Sequence, residues 1–383
     1  MQWRTYSAPR VNLITPEQLD GFETFAGLPI VVAQGGRVTA LGKGSAREQR
    51  IGSAVGEWIE RVVLFTAVPD IYATVRELGD TCLLPESFGL DIPGDEPAKV
   101  LRYDLDCPVG WIRSTDLEGT RRWMHQPGWS ESGFYRPTSN GAAVAHSREE
   151  SLRKAVAELL ERHAFVTWWY ELDESLPVRP TDAAWSSLRE WFESQGWELT
   201  AHLLPSTHAL PVVLAVAVRR NRSDKAAAAI IGLGNANGMA DAIGGAARAA
   251  AHEIVQAIEG FEVWRAAGAD IGGDLATFLK PSGAGAILRR LNLSADPIAS
   301  PSASSCCPLQ ALAEAEARLW IAERHSPLLD VYGLHHIQVF SEDLLPFPST
   351  GRGRRLAHPV LRSRLDERGR TLDSVPPLPH PLG

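Results

Sequence analysis

Ser53-Ala54-Val55-Gly56-Glu57-Trp58-Ile59-Glu60-Arg61 returns in outline as Ala155-Val156-Ala157-Glu158-Leu159-Leu160-Glu161-Arg162, and a third time as Glu253-Ile254-Val255-Gln256. Drawn at about 100° per residue with the first glutamate of each at zero, the three segments agree in phase. Val55, Trp58, Ile59 and Val62 take an apolar arc on the first, Val156, Leu159 and Leu160 on the second, and Ile254, Val255 and Ile258 on the third. Ser53 and Glu60 lie beside Glu57, Glu161 lies beside Glu158, and Gln256 takes the corresponding place beside Glu253. Glutamates at i and i+3 repel by a few tenths of a kcal/mol (roughly) unless solvent, arginine or a metal compensates. Arg61 and Arg162 each follow the first glutamate by one turn, so a solvated face with intrahelical pairs accounts for any one helix taken alone. Three such helices in phase point to converging carboxylates instead. These are hard oxygen donors suited to Mg²⁺, and a nearby lysine or arginine can neutralise a phosphate. The combination is that of a metal-nucleotide site.

Outward from these segments, the periodicity predicts helices over 47–64, 147–169 and 240–264, each preceded by a loop rich in glycine or small polar residues. The apolar stretch 27–33 reads as a strand, and 82–111 as strand-like and turn-rich. A helix is expected over 183–194, with neighbouring strands over 210–218 and 226–231 before the turn 232–238. From 268 to 308 the composition shifts to Gly, Ser, Ala and Pro, which predicts a long, weakly ordered excursion. One more helix is expected over 308–323 from its alanine and glutamate content, then a strand over 336–340, then a basic, proline-rich tail over 345–383. No composition break marks a boundary, so a single mixed α/β (α+β) domain over 1–383 is expected, its β-sheets backed by the glutamate-bearing helices.

The chain of 383 residues is 44% hydrophobic and 22% charged, which excludes disordered, collagen-like and coiled-coil classes. Its 46 acidic and 38 basic side chains leave a formal charge of -8, which disfavours nucleic acid or an anionic membrane as the main partner. Four cysteines, Cys82, Cys107, Cys306 and Cys307, give neither a disulfide framework nor a zinc spacing, so a reducing cytoplasm is the expected compartment. No apolar run follows Arg4 and Arg10, and none reaches about 18 uninterrupted residues, so neither export nor membrane spanning is expected.

In joint order and spacing these elements resemble the YcaO family of ATP-dependent peptide-backbone-modifying enzymes. Gly42-Lys43-Gly44 with Ser53-Ala54-x-x-Glu57-x-x-Glu60-Arg61 is similar to the family's first element, and Ser139-Asn140-Gly141 with Ala155-x-x-Glu158-x-x-Glu161-Arg162 to its second. Gly232-Leu233-Gly234 with Glu253-x-x-Gln256 resembles the Gly-rich turn and helix of the third. The resemblance implies an ATP fold without a Walker A loop. Glu57, Glu60, Glu158, Glu161 and Glu253 would be metal-site carboxylates, Lys43 and Arg162 phosphate contacts, and Ser53, Asn140 and Gln256 nucleotide contacts. The family often places an arginine four residues before the third-helix glutamate. This chain has Ala249 there and Arg248 one place earlier, which makes Arg248 a displaced candidate.

The C-terminal Pro377-Leu378-Pro379-His380-Pro381 matches the Pro-x-Pro-x-Pro ending of the azoline-forming members, followed here by Leu382 and Gly383, or else the motif is Pro379-His380-Pro381-Leu382 with Gly383 in place of its last proline. Such a tail is stiff because proline fixes φ. By this resemblance Pro379, Pro381 and the carboxylate of Gly383 border the active site. The implied activity is cyclodehydration of a ribosomally made precursor peptide: Cys, Ser or Thr attacks the preceding backbone carbonyl, the resulting oxygen takes the γ-phosphoryl group of ATP, and elimination leaves a thiazoline or oxazoline. No segment reads as a winged-helix leader-peptide reader, so a ThiF-like or leader-binding partner protein is expected, and a flavin-dependent dehydrogenase is a further candidate partner. A homodimer is left open. Thioamide or macroamidine formation is the nearest alternative, and a non-catalytic nucleotide-binding accessory the alternative of another class. A dinucleotide-binding turn at Gly232-x-Gly234 is disfavoured by Asn237 in place of a third glycine. Cys306 and Cys307 read as free thiols, His335 and His336 as packing residues, and Trp168 and Trp169 as core or groove side chains.

Overall fold

The computed structural model describes residues 30–32, 39–41, 47–88, 105–126, 138–204, 208–220, 226–237, 242–266, 279–291, 298–299, 307–347, 355–375 and 382. In chain order the elements are β1 (Ile30–Val32), β2 (Thr39–Leu41), α1 (Arg47–Thr66), β3 (Ile71–Ala73), α2 (Val75–Leu78), β4 (Val109–Thr115), β5 (Arg121–His125) and β6 (Ala142–Ala145). There follow α3 (Arg148–Trp169), β7 (Leu176–Arg179), α4 (Ala183–Ser194), β8 (Glu198–Leu204), β9 (Val212–Arg220), β10 (Ala226–Asn235) and α5 (Ala242–Ala266). The last are α6 (Pro281–Arg290), β11 (Ile298–Ala299), α7 (Pro308–Glu314), β12 (Trp320–Arg324), α8 (Pro327–Tyr332), β13 (His335–Phe340) and α9 (Pro359–Asp366). No helix among the described residues is long and apolar enough to cross a membrane.

Two sheets organise the site. One is five-stranded, in the order β10-β9-β8-β7-β11; the other runs β3-β4-β12-β13-β6 with β5 paired to β4, and β1 and β2 form a separate hairpin. The run Val212 to Val218 is apolar at every position because both faces of β9 are covered. Val213, Ala215 and Ala217 pack with Ala246, Ala250 and Ile254 of α5. On the opposite face Val212, Leu214 and Val216 pack with Phe165, Trp168 and Trp169 of α3 and with Ile287 of α6. The two expected tryptophans are therefore core residues. Helix α3 also covers the second sheet, where Ala155, Val156 and Leu160 meet Ile337 and Val339 of β13. Trp58, Ile59 and Val62, the apolar arc of α1, pack with Leu328 and Leu329 of α8. Ser147 starts α3 by accepting the Glu150 N–H, as a serine before an amphipathic run does.

The mixed architecture and the three long helices match the sequence expectation, and four local readings are corrected. The helix expected over 308–323 stops at Glu314: Glu316 enters the left-handed region at φ 52, and the following residues 320–324 pair as β12 between β13 and β4. Helix propensity of Ala and Glu yields there to burial in the sheet. Within the excursion expected over 268–308, residues 281–290 form α6, started by Pro281 and packed through Ala284 and Ile287 on the five-stranded sheet. The tail expected over 345–383 contains α9, tied down by Arg364 and Arg368 to Asp173 at 2.6 and 2.8 Å. Finally, Gly232 and Gly234 do not form a turn but lie inside β10.

Candidate active site

The placement of those two glycines sets the third carboxylate. A β-carbon at Gly232 would fall 2.1 Å from the Ala250 carbonyl oxygen, and one at Gly234 2.1 Å from that of Ala246. Only glycine lets α5 lie this close to the strand. At that distance Glu253 reaches across and accepts the Leu233 backbone N–H at 3.0 Å. The neighbouring strand residue Asn235 donates its side-chain amide to Glu161 at 2.7 Å, so the end of β10 holds one carboxylate from α5 and another from α3.

Glu158, one turn before Arg162, accepts the Gly141 N–H at 3.2 Å. Gly141 is in the left-handed region at φ 73, and a β-carbon there would meet the Val339 carbonyl at 2.6 Å, which accounts for the glycine of Ser139-Asn140-Gly141. On α1, Glu57 pairs with Arg61 at 2.5 Å. Burial pushes the Glu60 carboxyl well up from its ordinary value, and the charges of Glu158 and Glu57 push it further against the opposing fields of Arg61 and Lys154. Helices α1 and α3 thus bring their carboxylates into each other's field.

Arg162 joins the set together. Its guanidinium lies 3.6 Å from Glu158 and 3.8 Å from Glu161. Burial works against its charge, yet the fields of Glu161, Glu158 and Glu253 prevail and hold its pKa above the ordinary value. The ring of Phe347 sits 5.3 Å from the guanidinium carbon, and the Nε of Arg162 is buried with no hydrogen-bond partner. Phe347 is seated by the Leu345 N–H, which donates to Nδ1 of His163 at 2.8 Å. Burial above all, with smaller contributions from His208, Arg364 and His358, depresses the pKa of His163, so the ring stays neutral and this nitrogen accepts.

A cleft opens beside Arg162. Gln126, Thr138, Asn140, Gln338 and Arg355 give it polar lining, and Phe88, Phe340 and Phe347 are among its apolar walls. Buried Arg324 fixes two of the amides by donating to the side-chain carbonyls of Gln126 and Gln338. Arg355, Gln126 and Gln338 were not legible as site residues, since they stand outside any repeated pattern and meet only through sheet pairing and the return of the C-terminal segment.

Of the residues singled out from sequence, the structure brings Glu60, Glu158, Glu161, Glu253 and Arg162 into one electrostatic cluster, with Glu57 at its α1 edge. Asn140 lines the cleft; Ser53 and Gln256 are partly buried on α1 and α5. Arg248 is bound to Asp182, the N-cap residue of α4, at 2.8 Å. Lys43, Pro379, Pro381 and Gly383 lie outside the described residues, whereas Leu382 packs, partly buried, on the same apolar cluster as Phe347.

Among the described residues no three His, Cys, Asp or Glu side chains are close enough to hold one ion by themselves. The donor chemistry nevertheless fits Mg²⁺, which takes one or two carboxylates and completes its shell with phosphate oxygens and water. Like charges crowded around Glu60 are relieved by a cation, and the buried, partnerless Nε of Arg162 at the cleft is a donor for an anion.

The fold has known counterparts. A "heterocyclase in complex with substrate and cofactor" superposes with a TM-score of 0.69 at 20% identity, over 90% of this chain and 50% of that one. YcaO from Methanopyrus kandleri bound with AMPPCP and Mg²⁺ gives 0.59 at 18% identity, over 83% of this chain and 82% of that one. The E. coli microcin synthetase McbBCD complex with pro-MccB17 bound gives 0.60 at 13%, over 79% and 82%. The chain thus spans half the length of the heterocyclase it resembles. No curated protein matches it. The three glutamate-bearing helices and their arginine fall within residues 41–324, which match the family model described as YcaO cyclodehydratase, ATP- and Mg²⁺-binding, and the chain belongs to the YcaO family.

Proposed function

We propose that this protein is an ATP-dependent cyclodehydratase that converts Cys, Ser or Thr of a ribosomal precursor peptide into thiazoline or oxazoline. The observation that carries this reading is the convergence of Glu158, Glu161 and Glu253 on buried Arg162 at the edge of a cleft lined with neutral amides. The carboxylates of Glu60 and Glu158 would hold Mg²⁺, with Glu57, Glu161 and Glu253 around them, and Arg162 would contact phosphate. Bound there, Mg·ATP supplies a phosphoryl group that makes the amide oxygen a good leaving group.

The protein's own contribution is positioning and charge neutralisation. The side-chain thiol or hydroxyl adds to the preceding carbonyl carbon and loses its proton. The oxygen so formed bonds to the γ-phosphorus as ADP departs. Loss of the amide N–H proton and of phosphate, which carries that oxygen away, leaves the C=N bond of the ring. Asn140 and the Nε2 of Gln338 suit a peptide backbone, because primary amides donate to carbonyls and accept from N–H groups, while the Gln126 amide is taken up by Arg324 and the Leu64 carbonyl. Pro379, Pro381 and Gly383 are proposed to border the site, a reading supported by Leu382 packing on the cluster that includes Phe347. A leader-binding partner, and a flavin-dependent dehydrogenase as a further one, would act with it in the cytoplasm.

The test is calorimetric titration with ATP, with and without Mg²⁺, on the protein and on Glu161→Gln, followed by incubation of the protein and partner with a Cys- or Ser-rich precursor. Mg²⁺-dependent binding lost in the variant, and loss of one water mass per ring, are expected. ATP turnover without any loss of water mass would overturn the cyclodehydratase assignment in favour of another backbone modification.

A further inference from the structure

Residues 344–347 cross helix α3 as a short strap that meets it at three positions within one turn. The Leu345 N–H donates to Nδ1 of His163 at 2.8 Å, the Phe347 ring lies 5.9 Å from that of Phe165, and the Arg162 guanidinium carbon stands over the Phe347 ring at 5.3 Å. Pro346 has a fixed φ and holds Leu345 to extended conformations, so the place of the ring follows from the Leu345 hydrogen bond through one stiff link. Leu344 and Leu345 are buried in the two clusters that α3 builds with the two sheets, which anchors the strap before Pro346 and Phe347 reach the cleft. Arg162 depends on such a seat. The carboxylates of Glu158 and Glu161 stand 3.6 and 3.8 Å from its guanidinium, long for N–H···O bonds, and attraction at that separation balances charge while giving little direction. An aromatic face does give direction, because the cation is drawn to the negative side of the ring quadrupole. An aliphatic side chain would fill the same volume without that hold.

Resting on the function proposed above, we propose that Phe347 is a positioning residue of the nucleotide site: its ring, seated on α3 through Leu345 and Phe165, sets the plane in which the Arg162 guanidinium meets phosphate. Recognition of phosphate by arginine depends on that plane, since two N–H groups on one edge donate to two oxygens, and a rotated guanidinium presents only one of them. The ring acts through Arg162 and takes no part in the bonds that form and break. Gln338, Val339, Phe340, Pro346 and Phe347 all line the cleft, so one stretch of chain supplies both a wall of the cleft and the support of its arginine.

The test is equilibrium binding of Mg·AMPPCP to the full chain, arranged as a double-mutant cycle. Phe347→Leu is expected to bind about tenfold more weakly than the parent, and Phe347→Tyr, which keeps the ring, within about threefold of it. In an Arg162→Lys background, where the ammonium has no plane for a ring to set, adding Phe347→Leu should weaken binding by less than about twofold more. A ring that serves packing alone would weaken binding by the same factor in both backgrounds, and that additive result overturns the proposal, as does parental affinity in Phe347→Leu. Should Phe347→Leu fail to fold, Phe347→Met takes its place under the same expectations. Should Arg162→Lys show no measurable binding, the Leu and Tyr variants decide, and equal weakening in the two overturns the proposal. Parent protein that binds no Mg·AMPPCP overturns the nucleotide reading itself, whereas binding in the parent with a silent or additive Phe347 change overturns the positioning role and leaves that reading standing.

Discussion

The side-chain amide of Asn235 donates to Glu161 at 2.7 Å and so fastens the last residue of β10 to the acidic edge of α3. Glu161 is nearly buried, at 5% exposure, and a buried carboxylate deprived of a donor carries its full desolvation penalty. Asn235→Ala is expected to destabilise the protein by about 1–3 kcal/mol. It should also weaken Mg²⁺-dependent ATP binding, since the carboxylate loses its orientation. Urea unfolding and calorimetry on the same preparation check both effects; unchanged values in the two would remove Asn235 from the site.

The approach of α5 to β10 makes a steric prediction. Gly234→Ala places a methyl group 2.1 Å from the Ala246 carbonyl, and backbone cannot yield as a flexible side chain does. The helix must shift outward, taking Glu253 from the Leu233 N–H and from the field of Arg162. A loss of about 1–3 kcal/mol in stability is expected, together with weaker nucleotide binding. Gly285→Ala on α6 is the control: its β-carbon meets only the movable end of Arg289 at 3.4 Å, so a stability change within about 0.5 kcal/mol is expected.

The periodic part of this architecture was legible because burial imposes it. Trp58, Ile59, Leu159, Leu160 and Ile254 recur at helical spacing and are all core residues, and the glutamates opposite them are where phase put them. What stayed hidden depends on contacts between distant segments. Gly232 and Gly234 look the same in a string whether they make a turn or clear space for a helix, and only the packed neighbour tells the two apart. Residues 320–324 carried helix-forming neighbours, and their pairing with β13 overrode that local preference. Arg355 belongs to no pattern, and it reaches the cleft through contact with Phe88, 267 positions away.

Glu60 offers a prediction in which stability and ligand binding move in opposite directions. Its carboxyl suffers burial and the like charges of Glu158 and Glu57, so at neutral pH its ionised form is a source of repulsion in the ligand-free protein. Glu60→Gln is expected to raise the melting temperature of that form while reducing Mg²⁺-dependent ATP binding by at least about tenfold. A glutamate serving only as a solvated surface charge would move neither. Scanning calorimetry without ligand, set beside titration with Mg·ATP, separates the two cases.

Acid should destabilise the fold through its buried histidines. Burial above all, with the charge of Arg355, depresses the His358 pKa to about 4, and burial brings those of His125 and His336 to about 3. In the unfolded chain these rings take up a proton near pH 6.5, whereas the folded protein keeps them neutral further into the acid range. Below pH 6.5 the unfolded state therefore binds more protons, so the stability contribution is complete above that pH and is lost as the pH falls towards 4. Each such ring adds a slope of about 1.4 kcal/mol per pH unit across that window. His358→Asn retains an acceptor for the Val360 N–H and cannot be protonated, so its unfolding free energy should fall less steeply between pH 6.5 and 4 by that one increment. Urea midpoints at pH 5 and pH 7 measure the difference, and parallel pH dependences in parent and variant would show that His358 is already protonated in the folded state.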